Sequence, residues 1–258
     1  MSSHLSASIL ARLLAKTRGD DYSLLLNRFA LERLLFRISR SPHADRFLLK
    51  GALLFALWYD DPHRPTRDAD LLGFGPDDAD KLVATFRDIA AMDLGDGMVF
   101  DPESVRANAI REDNTYGGTR IHLLGRIGSA RCALQIDVGY GDAVTPAAET
   151  VTFPTLLQDF QAPVLRVYPV YTVIAEKYQA MVMLGQANSR MKDFYDLAVI
   201  GQRHCRHVCQ KEHAAANRAA TGADPSILRR PGQSAPMAGV SEQEPHHRRL
   251  TGRNGCAA

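Results

Sequence analysis

Asp68 and Asp70 stand one residue apart in Thr66-Arg67-Asp68-Ala69-Asp70-Leu71-Leu72-Gly73, a run that alternates like a strand and breaks at glycine. In a strand, positions i and i+2 point to one face, so the two carboxylates are presented together. Like charges held that close repel one another unless a divalent cation lies between them. Oxygen-only ligation suits magnesium, with manganese as a substitute, and magnesium commonly shares its shell with substrate phosphates. A third acid, Asp137 in Leu134-Gln135-Ile136-Asp137-Val138-Gly139, lies on another strand-like run with an apolar residue on either side. If it converges from a neighbouring strand, it completes a two-metal site for in-line phosphoryl transfer. An Asp-x-Asp pair alone is equally at home in a surface turn, so convergence is what the fold has to supply.

A second group lies in residues 176–197. Lys177 falls early in a helix, where its ammonium can reach phosphates as a point charge. Arg190, Lys192, Asp193 and Asp196 crowd one stretch of the next helix, with Asp193 and Asp196 sharing a face at i,i+3. A solvated helix carrying weak local ion pairs would look the same.

The elements that must position these groups follow from periodicity. Residues 5–38 read as helix, divided at Arg18-Gly19-Asp20-Asp21 and ended by Ser41-Pro42, with Arg28, Glu32 and Arg33 between the apolar positions. FLLKGALLFALWY (47–59) is apolar enough to be buried in any conformation, and Trp58 and Tyr59 are expected in the core. Residues 77–92 predict an amphipathic helix with Leu82, Phe86 and Ile89 inward. VRANAIRE, GTRIHLLGRI and ARCALQIDVGYGD alternate as strands, and Cys132 is read as a small buried hydrophobe. After Pro163 come a strand, VLRVYP, and two helices. The first is expected to bury Val173, Ile174, Tyr178 and Met181, the second Phe194, Leu197 and Ala198. Mixed strands after a strand–helix unit predict a small α/β (α+β) sheet.

Composition sets the bounds. The 258 residues are 45% hydrophobic and 23% charged, as expected of a soluble globular protein able to bury a core. No targeting segment and no stretch long enough to span a bilayer is evident, which predicts a cytoplasmic protein with no membrane partner. Four cysteines in this length do not suggest a disulfide scaffold. Residues 203–258 carry nine Lys/Arg against four Asp/Glu, leaving 1–202 with 22 against 25, so any polyanion contact there must come from a local patch. The segment 203–258 has only six large apolar residues and no aromatic one, and is predicted to be disordered. Its abrupt onset suggests a helical lobe cut short, as a frame-shifted or truncated reading of the gene would produce. His204, Cys205, His207, Cys209 and His213 lie close together within it, but their spacing is not a standard zinc pattern.

Together these residues resemble the AbiEii/AbiGii toxin family, a branch of the DNA polymerase beta-like nucleotidyltransferase superfamily. The likeness runs through RFLLKGALL (46–54), RPTRDADLLG (64–73), LQIDVGYGDAV (134–144), AEK (175–177) and NSRMKDFYDL (188–197). It covers roughly residues 20–202 in the expected order. It implies a nucleotidyltransferase fold: an N-terminal helical segment (1–44), a catalytic core (45–162), a helical lobe (163–202) and the atypical tail (203–258).

The resemblance also implies a toxin paired with a winged-helix antitoxin. The implied activity is magnesium-dependent transfer of a nucleotide from NTP to an RNA 3′ end, tRNA in the first place, blocking translation. By the same likeness Gly51 belongs to the glycine motif that admits the triphosphate, and Thr66 is a nucleotide-binding residue. Asp68 and Asp70 bind metal, with Asp137 at the position of the third carboxylate. Lys177 contacts the phosphates and is catalytic together with Asp68, Asp70 and Asp193; Arg190 and Lys192 bind the nucleotide, and Asp196 lies beside Asp193 in the last motif. Gly51-Ala52 departs from the usual Gly-Ser or Gly-Gly, which removes a hydroxyl contact to phosphate. Two alternatives stay open: a catalytically weakened protein that still binds its antitoxin, and a nucleotidyltransferase acting on a small molecule or a protein side chain.

Overall fold

The structure, a computed structural model, describes residues 3–17, 21–59, 66–110, 117–185 and 189–202. Residues 203–258, and with them the expected disorder and the His204–His213 group, lie outside the described residues.

Two helices open the chain, α1 (Ser3–Ala15) and α2 (Tyr22–Arg40). Asp21 caps α2 by accepting the Ser23 amide, which satisfies one of the donors left open at a helix start. Ser41 closes the helix, its hydroxyl donating to the Ile38 carbonyl just before Pro42. Of the polar positions read between the apolar ones, Glu32 and Arg33 are a correction, while Arg28 is half-buried. Glu32, Arg33 and Arg37 are buried with the apolar residues, so the helix is enclosed on nearly every side. A buried charge must be paired, and these are. Arg33 bonds Glu32 and the Gln161 carbonyl among the rings of Phe29, Phe36 and Phe160, while Arg37 grips Asp96 through two bonds of 2.8 and 2.9 Å.

The sheet has seven strands: β1 (Phe47–Lys50), β2 (Asp68–Gly73), β3 (Val99–Ile110), β4 (Gly118–Ile127), β5 (Ala130–Tyr140), β6 (Glu149–Thr152) and β7 (Val164–Val167). Their order is β3-β4-β5-β2-β1-β7-β6. The β2–β5 and β1–β7 pairs are parallel and the rest antiparallel, which makes the sheet mixed, as expected. After β1 the apolar run turns helical at Gly51 and ends in the short α3 (Phe55–Trp58). The helix α4 (Ala79–Ala90), capped by Asp78, buries Leu82, Phe86 and Ile89 as expected. The edge strand β6 was not anticipated; Glu149–Thr152 has no apolar alternation to announce it.

Burial alternates along β4 and β5. Ile121, Leu123, Cys132, Leu134, Ile136 and Val138 face the core, and the intervening residues face outward. Burial pushes the Cys132 thiol up to about 11, in keeping with an inert core position.

The C-terminal helices depart from expectation. In α5 (Val170–Leu184) only Thr172 and Val173 are buried, and Tyr178 is 63% exposed. In the helix over 191–202 (α6), the buried positions are Asp193, Asp196 and Ile200, while Phe194 and Ala198 are exposed. The reason is electrostatic: α6 turns its acids, not its aromatic residues, toward Lys177 of α5.

Candidate active site

Strand register brings the acids together. Asp68 and Asp70 occupy one face of β2, and parallel pairing sets Asp70 directly beside Asp137 of β5. Side chains opposite one another on adjacent strands share a face within about 5.5 Å. On the other side of Asp70 the register partner is Lys50 of β1, and beyond Asp137 it is Arg120 of β4. A single row across the sheet therefore reads Arg120, Asp137, Asp70, Lys50, with Asp68 one step along the strand.

Each acid has a different environment. The Thr66 hydroxyl bonds a carboxylate oxygen of Asp68. Asp137 receives both its bonds from Arg120, Nε to Oδ1 and Nη2 to Oδ2, each 2.8 Å. This pairing holds the guanidinium above its ordinary range. Among the described residues Asp70 has no such clamp. Burial first, and then the charge of Asp68, push its carboxyl up to about 6, with Lys50 pulling the other way and Asp137 and Glu176 adding to the rise.

Gly51 is shaped by Asp70. Its φ is +71°, and a Cβ there would lie 1.9 Å from Asp70 Oδ2, so only glycine lets the backbone pass. The sequence reading gave Gly51 a role toward the triphosphate; its nearest neighbour here is the Asp70 carboxylate.

Lys50 and its partners escaped the sequence reading. Its ammonium donates to Asp142 Oδ2 (2.7 Å) and Glu176 Oε1 (2.8 Å), and the Tyr168 hydroxyl donates to the same Asp142 oxygen at 2.9 Å. Burial opposes the charge on Lys50, but Glu176 and Asp142 outweigh it and hold the ammonium above its usual range. Burial and the neighbouring acids push the Tyr168 phenol upward. The residues were in view, since Asp142 and Glu176 lie inside the motif segments, but nothing local announces that Lys50 joins them.

Lys177 belongs to a separate cluster. Its ammonium lies 2.8 Å from Asp193 Oδ1 and 2.8 Å from Asp196 Oδ2, and Arg190 Nε lies 2.9 Å from Asp193 Oδ2. Lys192 is exposed on the same helix. The adjacent residue on α5, Glu176, is the one bonded to Lys50, so α5 spans the two clusters.

Do the acids fit a divalent cation? Magnesium takes one or two carboxylates and completes its shell from water and phosphate oxygens. Asp68 and Asp70, with like charges left to repel one another and a glycine cradle against Asp70, match that donor set. Asp137 has both oxygens committed to Arg120, and among the described residues no group of three or more His, Cys, Asp or Glu forms a ready cage. The pair open to a cation is Asp68 and Asp70. A cleft of about 350 Å³ opens beside Asp68, lined by Asn27, Arg67, Arg131 and Gln135 among others.

The described residues thus form a mixed α/β sheet that gathers carboxylates from adjacent strands. The family model of the nucleotidyl transferase AbiEii toxin, of type IV toxin–antitoxin systems, matches residues 33–249. The chain belongs to that family. The match continues beyond residue 202, where the quoted motifs end. No curated protein matches. Among solved structures, the chain resembles JHP933 from Helicobacter pylori at 13% identity and TM-score 0.45, over 69% of this chain and 66% of that one. It also resembles an antigenic nucleotidyltransferase-like protein from Paracoccidioides brasiliensis at 14% identity and TM-score 0.42, over 66% and 74%. The chain thus spans slightly less than two thirds of JHP933. Among the described residues no helix is long and apolar enough to cross a membrane.

Proposed function

We propose that this chain is the toxin of its pair and transfers a nucleotidyl group from NTP to the 3′ end of an RNA, tRNA in the first place. The observation that carries the reading is the placement of Asp68, Asp70 and Asp137 on one face of two parallel-paired strands. In the reaction the terminal RNA hydroxyl attacks the α-phosphorus, the bond to the leaving oxygen breaks, and pyrophosphate departs. Magnesium or manganese, held by Asp68 and Asp70, would neutralise charge developing on the triphosphate. Thr66 holds one oxygen of Asp68, and Gly51 leaves room for Asp70. Lys50 and Arg120 flank the acids as fixed positive charges. Lys177, Arg190, Lys192, Asp193 and Asp196 form the second cluster, from which Lys177 would turn toward the nucleotide phosphates. The natural compartment is the cytoplasm, and the partner a winged-helix antitoxin.

Purified protein incubated with each α-labelled NTP, magnesium and total RNA should label RNA. Asp68→Ala and Asp70→Ala should each reduce labelling by at least a hundredfold, and chelation should abolish it. Label appearing in protein or a small molecule instead would replace RNA as the acceptor. No labelling with any nucleotide would sink the reading.

A further inference from the structure

The outward face of β3, β4 and β5 is solvent-exposed, and strand register maps it residue by residue. Arg106, His122 and Gln135 are successive partners across the three strands, and the next partner is Asp68 on β2. Toward the start of β5, Val99, Arg126 and Arg131 form a second row. Arg106, His122, Arg126 and Arg131 are all exposed. Among the described residues Arg106 bonds only backbone carbonyls, and Arg126 and Arg131 have no carboxylate partner. The acids on this face are Asp137, paired with Arg120, Asp101 and the exposed Glu103 on the outer strand, and Asp68 and Asp70 at its β2 edge. A fold whose first 202 residues carry a slight excess of acid thus concentrates unpaired positive charge on one surface.

That surface leads to a defined place. β5 begins before β2 does: Arg131, Cys132 and Ala133 have no β2 partner, because β2 starts at Asp68 opposite Gln135. The overhang opens the cleft beside Asp68, and Arg131 lines both the cleft and the basic face. At about 3.3 Å per strand residue, Arg131 lies roughly 13 Å along β5 from Gln135. Among its described residues the face carries no Phe, Tyr or Trp, the anchors most enriched in protein–protein interfaces, and its large exposed apolar side chains are Val99 and Leu124. Spaced arginines without aromatic anchors suit a phosphodiester backbone.

We propose that this open sheet face is the docking surface for the single-stranded 3′ end of the acceptor RNA. The backbone lies over Arg106, Arg126 and Arg131, and the terminal nucleotide enters the cleft beside Asp68. The proposal rests on the reading of RNA as acceptor. Contacts are to phosphates, so binding is strongly salt-dependent and nearly indifferent to sequence.

The test is fluorescence anisotropy with a short labelled single-stranded RNA, the full chain and EDTA, over a salt series. Arg126→Ala/Arg131→Ala should raise Kd about tenfold or more and reduce the salt slope by about 1.4, two phosphate contacts at roughly 0.7 each. Arg126→Lys/Arg131→Lys should restore most of the binding, because phosphate accepts a point charge. Unchanged affinity and slope in the alanine variant, at an unchanged melting temperature, would overturn the proposal. So would a loss of affinity for the paired antitoxin without loss for RNA. RNA binding through this face with no nucleotide incorporation would remove the transfer reading and leave the surface standing. Undiminished incorporation into sub-saturating RNA by the alanine variant would do the reverse.

Discussion

At the scale of single residues, the site is a carboxylate pair that the fold keeps under repulsion. Asp70 is pushed up to about 6 by burial and by Asp68, against an ordinary value of 3.8. The folded state therefore holds this proton more tightly than the unfolded chain, and stability falls as pH rises from about 4 to about 6, then levels off. Asp70→Asn removes the penalty. In EDTA at pH 7 it should stabilise the fold by on the order of 2–3 kcal/mol, at about 1.4 kcal/mol per pKa unit. It should also flatten the pH dependence in that window, both read by urea unfolding. The same variant should lose divalent-cation binding by calorimetry. A wild-type protein whose stability rises between pH 4 and 6 at this site would contradict the account. The acids themselves were legible because a strand repeats every two residues, which puts Asp68 and Asp70 on one face before any fold is known. Lys50, Arg120 and Asp142 were not, because each reaches the acids through cross-strand register or long-range contact, which no local pattern encodes.

At the scale of elements, α2 shows where periodicity misleads. Its apolar positions and its start near Asp21 were readable, yet Glu32, Arg33 and Arg37 between them are as buried as the leucines. A helix enclosed on all sides can carry charge only where other segments bring partners to it, and those partners are distant in sequence. Asp96 lies 59 residues from Arg37, and the Leu156 amide, which donates to Glu32, lies 124 residues away. Burial pushes the Glu32 carboxyl upward, while Arg33 and that amide resist. Removing one partner is costly because the other charge stays buried. Arg37→Ala should destabilise by about 3–5 kcal/mol in urea unfolding, with much of the loss recovered in Arg37→Met/Asp96→Asn. Equal losses in the single and double variants would mean that packing, not the uncompensated charge, dominates.

At the scale of the whole molecule, cohesion is unevenly distributed. The strands around Asp70 are flanked on both sides and share one core with α2 and α4. The helices after β7 have little of this: among the described residues α5 buries two side chains, and Met183 is 68% exposed. What fastens α6 to α5 is Lys177, 13% exposed, between Asp193 and the wholly buried Asp196. Elements with few buried apolar contacts open at lower free energy than the core. Hydrogen exchange should therefore protect residues 170–185 and 191–202 less than β2 and β5. Lys177→Met should widen the gap, since Asp196 loses this counter-charge inside the fold while Asp193 keeps Arg190. Exchange in 191–202 should rise at least tenfold while β2 and β5 stay within twofold of wild type. Equal loosening of sheet and helices would mean that the ion cluster holds the molecule as a whole. Loosening confined to α6 would mean that the second cluster is a local latch, free to open when Lys177 turns toward another anion.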